Sequence, residues 1–297
     1  MRQKVIVRVP ISNEDYEVLP FYAVTDFVFA VAGIHWIGIC DIIDSNRTAL
    51  LDYIAVDYAQ AVEGRKIKNP DEYQEMREFA SQAKVLIEKL PANPNRAKLF
   101  VKIAALARGI ENKDAAPEIV ARANDLRWFV IHAYNLQVIP KYIPDLRHSN
   151  ELYTAHCAAC HGSMGKGDGL IGKGLDPSPS NFHDIARMTQ RSVYGLYNTI
   201  TLGITDTGMA SYRQFSEDDR WALAFYVSNF AANDKIRAEG AKLWNAGKHR
   251  NDFSDLTNVV ALSSNEVQQR FGEDGVALQA YLRAHPEALA AKHTEEK

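Results

Sequence analysis

Cys157-Ala158-Ala159-Cys160-His161 is the stretch of this chain that leaves the fewest structural options. Two thiols stand one helical turn apart and an imidazole follows directly. At this C-x-x-C-H spacing both cysteines can add to the vinyl groups of one porphyrin edge while the histidine turns toward the iron. The spacing therefore predicts one covalent c-type haem, with Cys157 and Cys160 as thioether anchors and His161 as proximal ligand through Nε2. The Nδ1 atom then needs a carbonyl to fix ring and tautomer, and Pro177 and Pro179 lie in the loop best placed to offer one. A thioredoxin-type C-x-x-C would need a βαβ context that is missing. A zinc site would need a second Cys or His pair, for which only His156 and His183 stand near.

The sixth ligand has to come from the other face of the porphyrin. Met209 is the expected one, well downstream in the Gly-bounded stretch Gly203-Ile204-Thr205-Asp206-Thr207-Gly208-Met209. Met164 sits one turn past His161 and cannot reach that face, while Met188, His183 and an open site remain alternatives. The difference matters chemically. A thioether raises the reduction potential and favours electron transfer, whereas an open position favours binding or activating a small molecule.

Composition narrows the setting. The chain has 297 residues, 46% hydrophobic and 24% charged, which allows two modest globular domains. A net charge of −3 argues against a nucleic-acid binder. Only three cysteines occur, so no disulfide framework holds the fold, and Cys40 is left over. The apolar run Phe27–Cys40 is bounded by Asp26 and Asp41 and falls short of the roughly 20 residues that span a bilayer. Ala30-Val31-Ala32 resembles a small-residue export cleavage site, although Glu14, Asp15, Glu17 and Asp26 spoil the basic flank. An interfacial helix or a start codon placed too early fits the same stretch.

Helical periodicity dominates, and the expected class is all-α. Leu51, Ile54, Tyr58 and Ala61 form a first stripe ending at Gly64. Met76, Phe79, Ala83, Leu86 and Leu90 form a second, opened by Asn69-Pro70-Asp71 and closed by Pro91. Leu99, Ile103, Leu106 and Ile110 form a third, and Ile119, Ala123, Leu126 and Val130 a fourth that runs toward Pro140. These predict an antiparallel bundle. The expected divisions are 1–43, a leader-like segment; 44–146, the bundle and a linker; 147–232, the haem domain; and 233–297, a helical extension broken at Gly272. Ser216 with Asp219 predicts the cap of a helix carrying Trp221, Ala224, Phe225 and Phe230, which packs against Leu152 and Tyr153.

Tyr153, Cys-Ala-Ala-Cys-His-Gly, Gly165-Lys166-Gly167-Asp168-Gly169, Leu196-Tyr197-Asn198-Thr199-Ile200-Thr201 and Asp219–Phe225 together resemble class I cytochrome c. With Leu51–Tyr58 and Glu72–Met76 added, the chain resembles, over about residues 47–285, the extracytoplasmic part of bacterial iron permeases fused to a cytochrome c domain. That resemblance implies His161 and Met209 as axial ligands and a haem domain serving iron uptake at the periplasmic face of the inner membrane. A redox protein and a membrane iron permease, in the same longer chain or as a separate subunit, would be its partners, with iron ions also in play.

Weaker signals fall either way. Gly167–Gly172 matches G-x-G-x-x-G but follows a haem helix and lacks a βαβ unit, so it reads as a tight loop beside the porphyrin. Asp52, Asp57, Glu63, Glu72, Glu75 and Glu78 could present oxygen ligands to iron, although solvated helix faces explain them more cheaply. Lys166, Lys173, Arg187, Arg191 and Arg213 suit an acidic redox partner or the haem propionates. The leading expectation is an electron carrier coupled to iron uptake. Against it stand a general periplasmic shuttle, a haem enzyme or dehydrogenase subunit, and a redox sensor.

Overall fold

Turn and cap residues set where each helix begins, and apolar spacing sets which face it buries. The computed structural model describes residues 8–12, 15–18, 36–204 and 207–290, with side chains from Thr48 onward. Contacts along the chain separate residues 1–42 from 43–297. In the first unit, β1 (Arg8–Ser12) and β2 (Asp15–Val18) pair antiparallel, Arg8 opposite Val18, with an irregularity between Pro10 and Ser12. Helical periodicity gave no warning of this hairpin. Phe27 and the Ala30-Val31-Ala32 stretch lie outside the described residues.

Helix α1 (Trp36–Ala61) ends in a short hairpin of β3 (Val62–Glu63) and β4 (Lys66–Ile67), where Gly64 and Arg65 turn with positive φ. Helix α2 (Pro70–Glu88) starts at Asn69, whose side chain accepts from the Asp71 and Glu72 amides, with Pro70 preset for the first turn. Helices α3 (Arg96–Glu111) and α4 (Ala116–Tyr134) follow, the latter stopped by Asn135 in the left-handed conformation. Their inward stripes interdigitate in one core: Leu51, Ile54 and Tyr58 meet Met76, Ala83, Ile103, Leu106, Ile119 and Leu126. Each fully buried Leu or Ile contributes roughly 1.5–3 kcal/mol, so packing holds the bundle more than helix propensity does. Ile87, not Leu86, completes the α2 stripe, and Phe79 turns partly out of it.

The haem domain begins with α5 (Ser149–His156) and the single turn α6 (Ala158–His161), followed by α7 (Ile185–Met188), α8 (Val193–Leu202) and α9 (Glu217–Ser228). Ser216 caps α9 by accepting from the Asp219 amide at 3.0 Å, as its sequence predicts. Beyond it, α10 (Asp234–Asn245), α11 (Thr257–Val260), α12 (Ser264–Ala284) and α13 (Glu287–Ala290) form the extension, and α12 is broken at Gly272 with φ 66°. Tyr153, Trp221 and Phe225 share one apolar cluster with Phe253, Val259, Val267 and Leu278 of the extension. The extension thus completes the haem domain's core. Among the described residues no helix is long and apolar enough to cross a membrane.

Helix α1 is buried on the bundle side and again where it meets α8. Thr48 Oγ1 accepts from Asn198 Nδ2 at 3.3 Å, and the Tyr53 hydroxyl lies 2.8 Å from Thr199 Oγ1. Asp52 and Asp57, which sequence economy places on a solvated face, are 6% and 8% exposed. The second packing partner is the reason. Asp52 pairs with Arg127 of α4 at 2.9 Å, and Asp57 with Arg187 of α7 at 2.9 Å. Arg127 also reaches Glu266 of α12 at 3.0 Å, where the Trp128 indole donates to the same carboxylate at 2.7 Å. Burial alone would raise Glu266, but Arg127, the Ser263 amide and Trp128 outweigh it and hold the carboxyl below its usual range. Arg127→Leu leaves two buried carboxylates without their cation and is expected to lower the unfolding free energy by about 3–5 kcal/mol. Equilibrium denaturation measures the loss, which shrinks when Glu266→Gln is added.

Candidate haem site

A short turn presents the three motif side chains together. The Cys157 carbonyl accepts from the Cys160 and His161 amides at 3.2 and 2.9 Å, which winds the motif into α6. The loop that follows lies back over this turn: the Gly169 amide donates to the Cys160 carbonyl at 3.1 Å and Ile171 to Ala159 at 3.0 Å. A Cβ on Gly169 would sit 2.4 Å from the Ala159 carbonyl oxygen. The G-x-G-x-x-G lettering is therefore explained by backbone contact at the motif.

His161 is steered from two sides. Its Nδ1 faces the Ser180 carbonyl at 3.2 Å, and its ring stacks on Phe182 with centroids 4.7 Å apart. The carbonyl is thus Ser180's and not that of Pro177 or Pro179. Those two prolines line the cavity instead, and the Pro179 carbonyl is turned to where Gly167 leaves room, 2.5 Å from a Cβ built there. Burial lowers the His161 pKa against the opposing pull of the Ser180 bond, which favours a neutral ring with one nitrogen lone pair to give. Burial, with Cys160 alongside, pushes the Cys157 thiol up to about 11. Behind the ring, Phe230 meets Phe182, Tyr153 and Tyr226, and the Tyr153 hydroxyl donates to the Gly162 carbonyl at 2.8 Å.

Cys157, Cys160 and His161 open into a cavity of about 1480 Å³, counting solvent at its mouth. Leu196, Ile200, Leu223 and Val227 supply apolar wall, and Met209 borders the same space. The Met209 loop is tied at its neck, with the Ile204 amide on the Met209 carbonyl at 2.9 Å and the Met209 amide on Thr207 Oγ1 at 3.1 Å. Thr205 and Asp206 lie outside the described residues. Met188 also borders the cavity. His183 Nε2 donates to the Met164 carbonyl, 2.6 Å away, and Met164 is 60% exposed; neither residue lines the cavity. Two thiols and an imidazole bordering a largely apolar space are the donor set and walls that covalent haem requires.

The wall that sequence reasoning missed comes from the bundle. Tyr53, Asp57, Glu72, Glu75 and Phe79 line the cavity together with Arg187 and Arg191. Phe79 lies against Tyr53, centroids 5.7 Å apart, which is why it leaves the bundle stripe. No short-range signal marks these residues, because α1 against α8 is a contact between distant segments. Of the acidic set, Glu63 and Glu78 are exposed and do not line the cavity, while Asp52 is sealed against Arg127. Of the basic set, Lys166, Lys173 and Arg213 are exposed and do not gather at the cavity.

Residues 148–231 match the cytochrome c family model, and residues 46–130 match that of the iron permease-associated 4-helix bundle domain. The chain joins a cytochrome c domain to an iron permease-associated bundle. The two matches coincide with the two apolar clusters described above, apart from the extension. No curated protein matches the chain. Among solved structures, a chain of a reducing HAO-like protein complex from Kuenenia stuttgartiensis is 17% identical, covers 50% of this chain and 98% of its own, and has a TM-score of 0.27. The cytochrome c match implies covalently bound haem c, and the two domains together point to an extracytoplasmic setting linked to iron uptake. Gly169→Ala, which forces a Cβ onto the carbonyls of Ala159 and Cys160, is expected to cost roughly 1–3 kcal/mol of stability. A lowered denaturation midpoint of the haem-loaded protein would register it.

Proposed function

We propose that this protein is a monohaem electron carrier that exchanges electrons with iron on its way to a membrane permease. The reading is supported most by the bundle wall of the haem cavity, where Asp57, Glu72 and Glu75 stand beside the space bordered by the cytochrome motif. Cys157 and Cys160 would hold the haem covalently, His161 and Met209 would supply its iron with a nitrogen and a sulfur donor, and such ligation would supply reversible one-electron chemistry at a raised potential. Phe182 and the Ser180 carbonyl keep His161 oriented, and the apolar side chains of α8 and α9 keep water away.

The bundle residues make the cavity mouth attractive to cations. Burial raises the pKa of Glu72, with Asp57 adding to it and Arg187 opposing, and burial raises Glu75, with Glu72, Asp57 and Glu78 adding and Arg187 again opposing. Negative charge that Arg187 offsets only in part is relieved by an approaching cation. Among the described residues no three His, Cys, Asp or Glu side chains are grouped to hold a metal ion. That suits passage of iron past the haem better than its storage. The working place is the periplasmic face of the inner membrane, with a redox protein on one side of the exchange and the permease on the other.

The haem-loaded protein tests this directly. Its absorption spectrum is expected to show covalent c-type haem and the weak sulfur-to-iron band, the latter lost in Met209→Ala. Rapid mixing with an iron salt is expected to change the haem oxidation state about tenfold more slowly in Glu72→Gln/Glu75→Gln than in wild type, a difference that salt reduces. Equal rates would leave a general shuttle for which the bundle is only a scaffold.

Glu75 also has a stability signature. Because its folded pKa is raised, wild-type stability falls as pH climbs from the ordinary carboxylate range toward that raised value. Glu75→Gln lacks this slope. It is expected to be more stable by about 0.5 kcal/mol at neutral pH and no different in acid, as pH-dependent denaturation would show.

A further inference from the structure

Arg191 precedes α8 and is 6% exposed, yet its Nη1 is buried without a hydrogen-bond partner. Asp52 pairs with Arg127 through Oδ1 and Asp57 with Arg187, and Arg191, whose charge acts on Asp52 from nearby, forms no ion pair with either carboxylate. What Arg191 does have is an aromatic platform: its guanidinium carbon lies 4.9 Å from the centroid of the Tyr53 ring. Tyr53 is fixed in turn by its hydroxyl, 2.8 Å from Thr199 Oγ1, and that threonine already donates to the Gly195 carbonyl. Arg191, Tyr53 and Thr199 all border the haem cavity. A guanidinium sealed from water without an anion is costly, and its fork geometry suits a carboxylate.

We infer that Arg191, steadied by Tyr53 of the bundle, takes a haem propionate, so that the carboxylate edge of the porphyrin is turned toward the four-helix bundle. The thioethers would form at Cys157 and Cys160, so the propionates would need cations from other elements. Arg187 and Arg191 are the arginines that border the cavity, and Arg187 is held by Asp57. Tyr53 acts here as a positioning residue contributed by the other domain. The haem site is thereby shared between the two halves of the chain, and the edge that meets the bundle is the one nearest its acidic wall.

The inference rests on the haem assignment proposed above, and the experiment separates the two. Arg191→Gln, Arg191→Lys and Tyr53→Leu are prepared as full-length haem-loaded proteins, and midpoint potentials and resonance Raman propionate modes are recorded. Removing the cation favours the ferric form, so Arg191→Gln is expected to shift the one-electron equilibrium about tenfold, a fall of ~59 mV. Arg191→Lys should recover most of that shift, and Tyr53→Leu should move the potential the same way by less. Should the Gln variant fail to accumulate, a propionate mode that moves in Arg191→Lys and Tyr53→Leu supports the inference. Covalent haem with unmoved potential and propionate modes in the variants obtained would overturn it. Wild-type protein without covalent haem would overturn the cytochrome reading itself.

Discussion

Arg127 holds together three stretches of chain that are far apart in sequence. It is buried in α4, takes Asp52 of α1 on one side and Glu266 of α12 on the other, and so joins the bundle to the extension beneath the haem domain. Charge burial of this kind is costly unless every partner is placed well; the Glu266 side is fully supported, while Asp52 Oδ2 and Arg127 Nε are buried without a hydrogen-bond partner. Trp128 and the Ser263 amide complete Glu266, which is at once the partner of Ser263 in the capping box that opens α12. Gly195 completes the arrangement by leaving space: a Cβ there would meet the Asp52 carboxylate at 2.9 Å and press on the group that Arg127 holds. Register between the halves is thereby fixed by charge, while the bulk of the stability comes from the two apolar clusters.

That register has a functional result. With α1 held against α8, Tyr53 and Asp57 are brought to the edge of the haem cavity as a consequence of where Asp52 is tied. Helix α2 follows with Phe79, Glu72 and Glu75. The bundle is therefore one of the surfaces that define the haem environment, its polarity and its access.

Local features were legible in the sequence and long-range ones were not. The motif, the Asn69 and Ser216 helix starts, the break at Gly272 and the bundle stripes depend on neighbours a few residues away. Chemistry at that range is written in the order of residues. The misplacements share the opposite property. The His161 acceptor moved from Pro177 or Pro179 to Ser180, one peptide unit beyond the second proline, because it depends on how a whole loop folds back over α6. Phe79 has the spacing of a core residue and the position of a cavity residue. Asp52 and Asp57 have the composition of a solvated face, and only the buried arginines opposite explain them.

The apolar cluster that runs from Tyr153 and Trp221 into Phe253, Val259 and Leu278 changes what counts as a module here. Family matching ends the cytochrome at residue 231, yet its interior side chains continue into α11 and α12. A haem domain cut out at that boundary would leave part of its core behind on α11 and α12 and turn apolar side chains to water. The unit that holds together physically is therefore larger than the unit a sequence profile recognises.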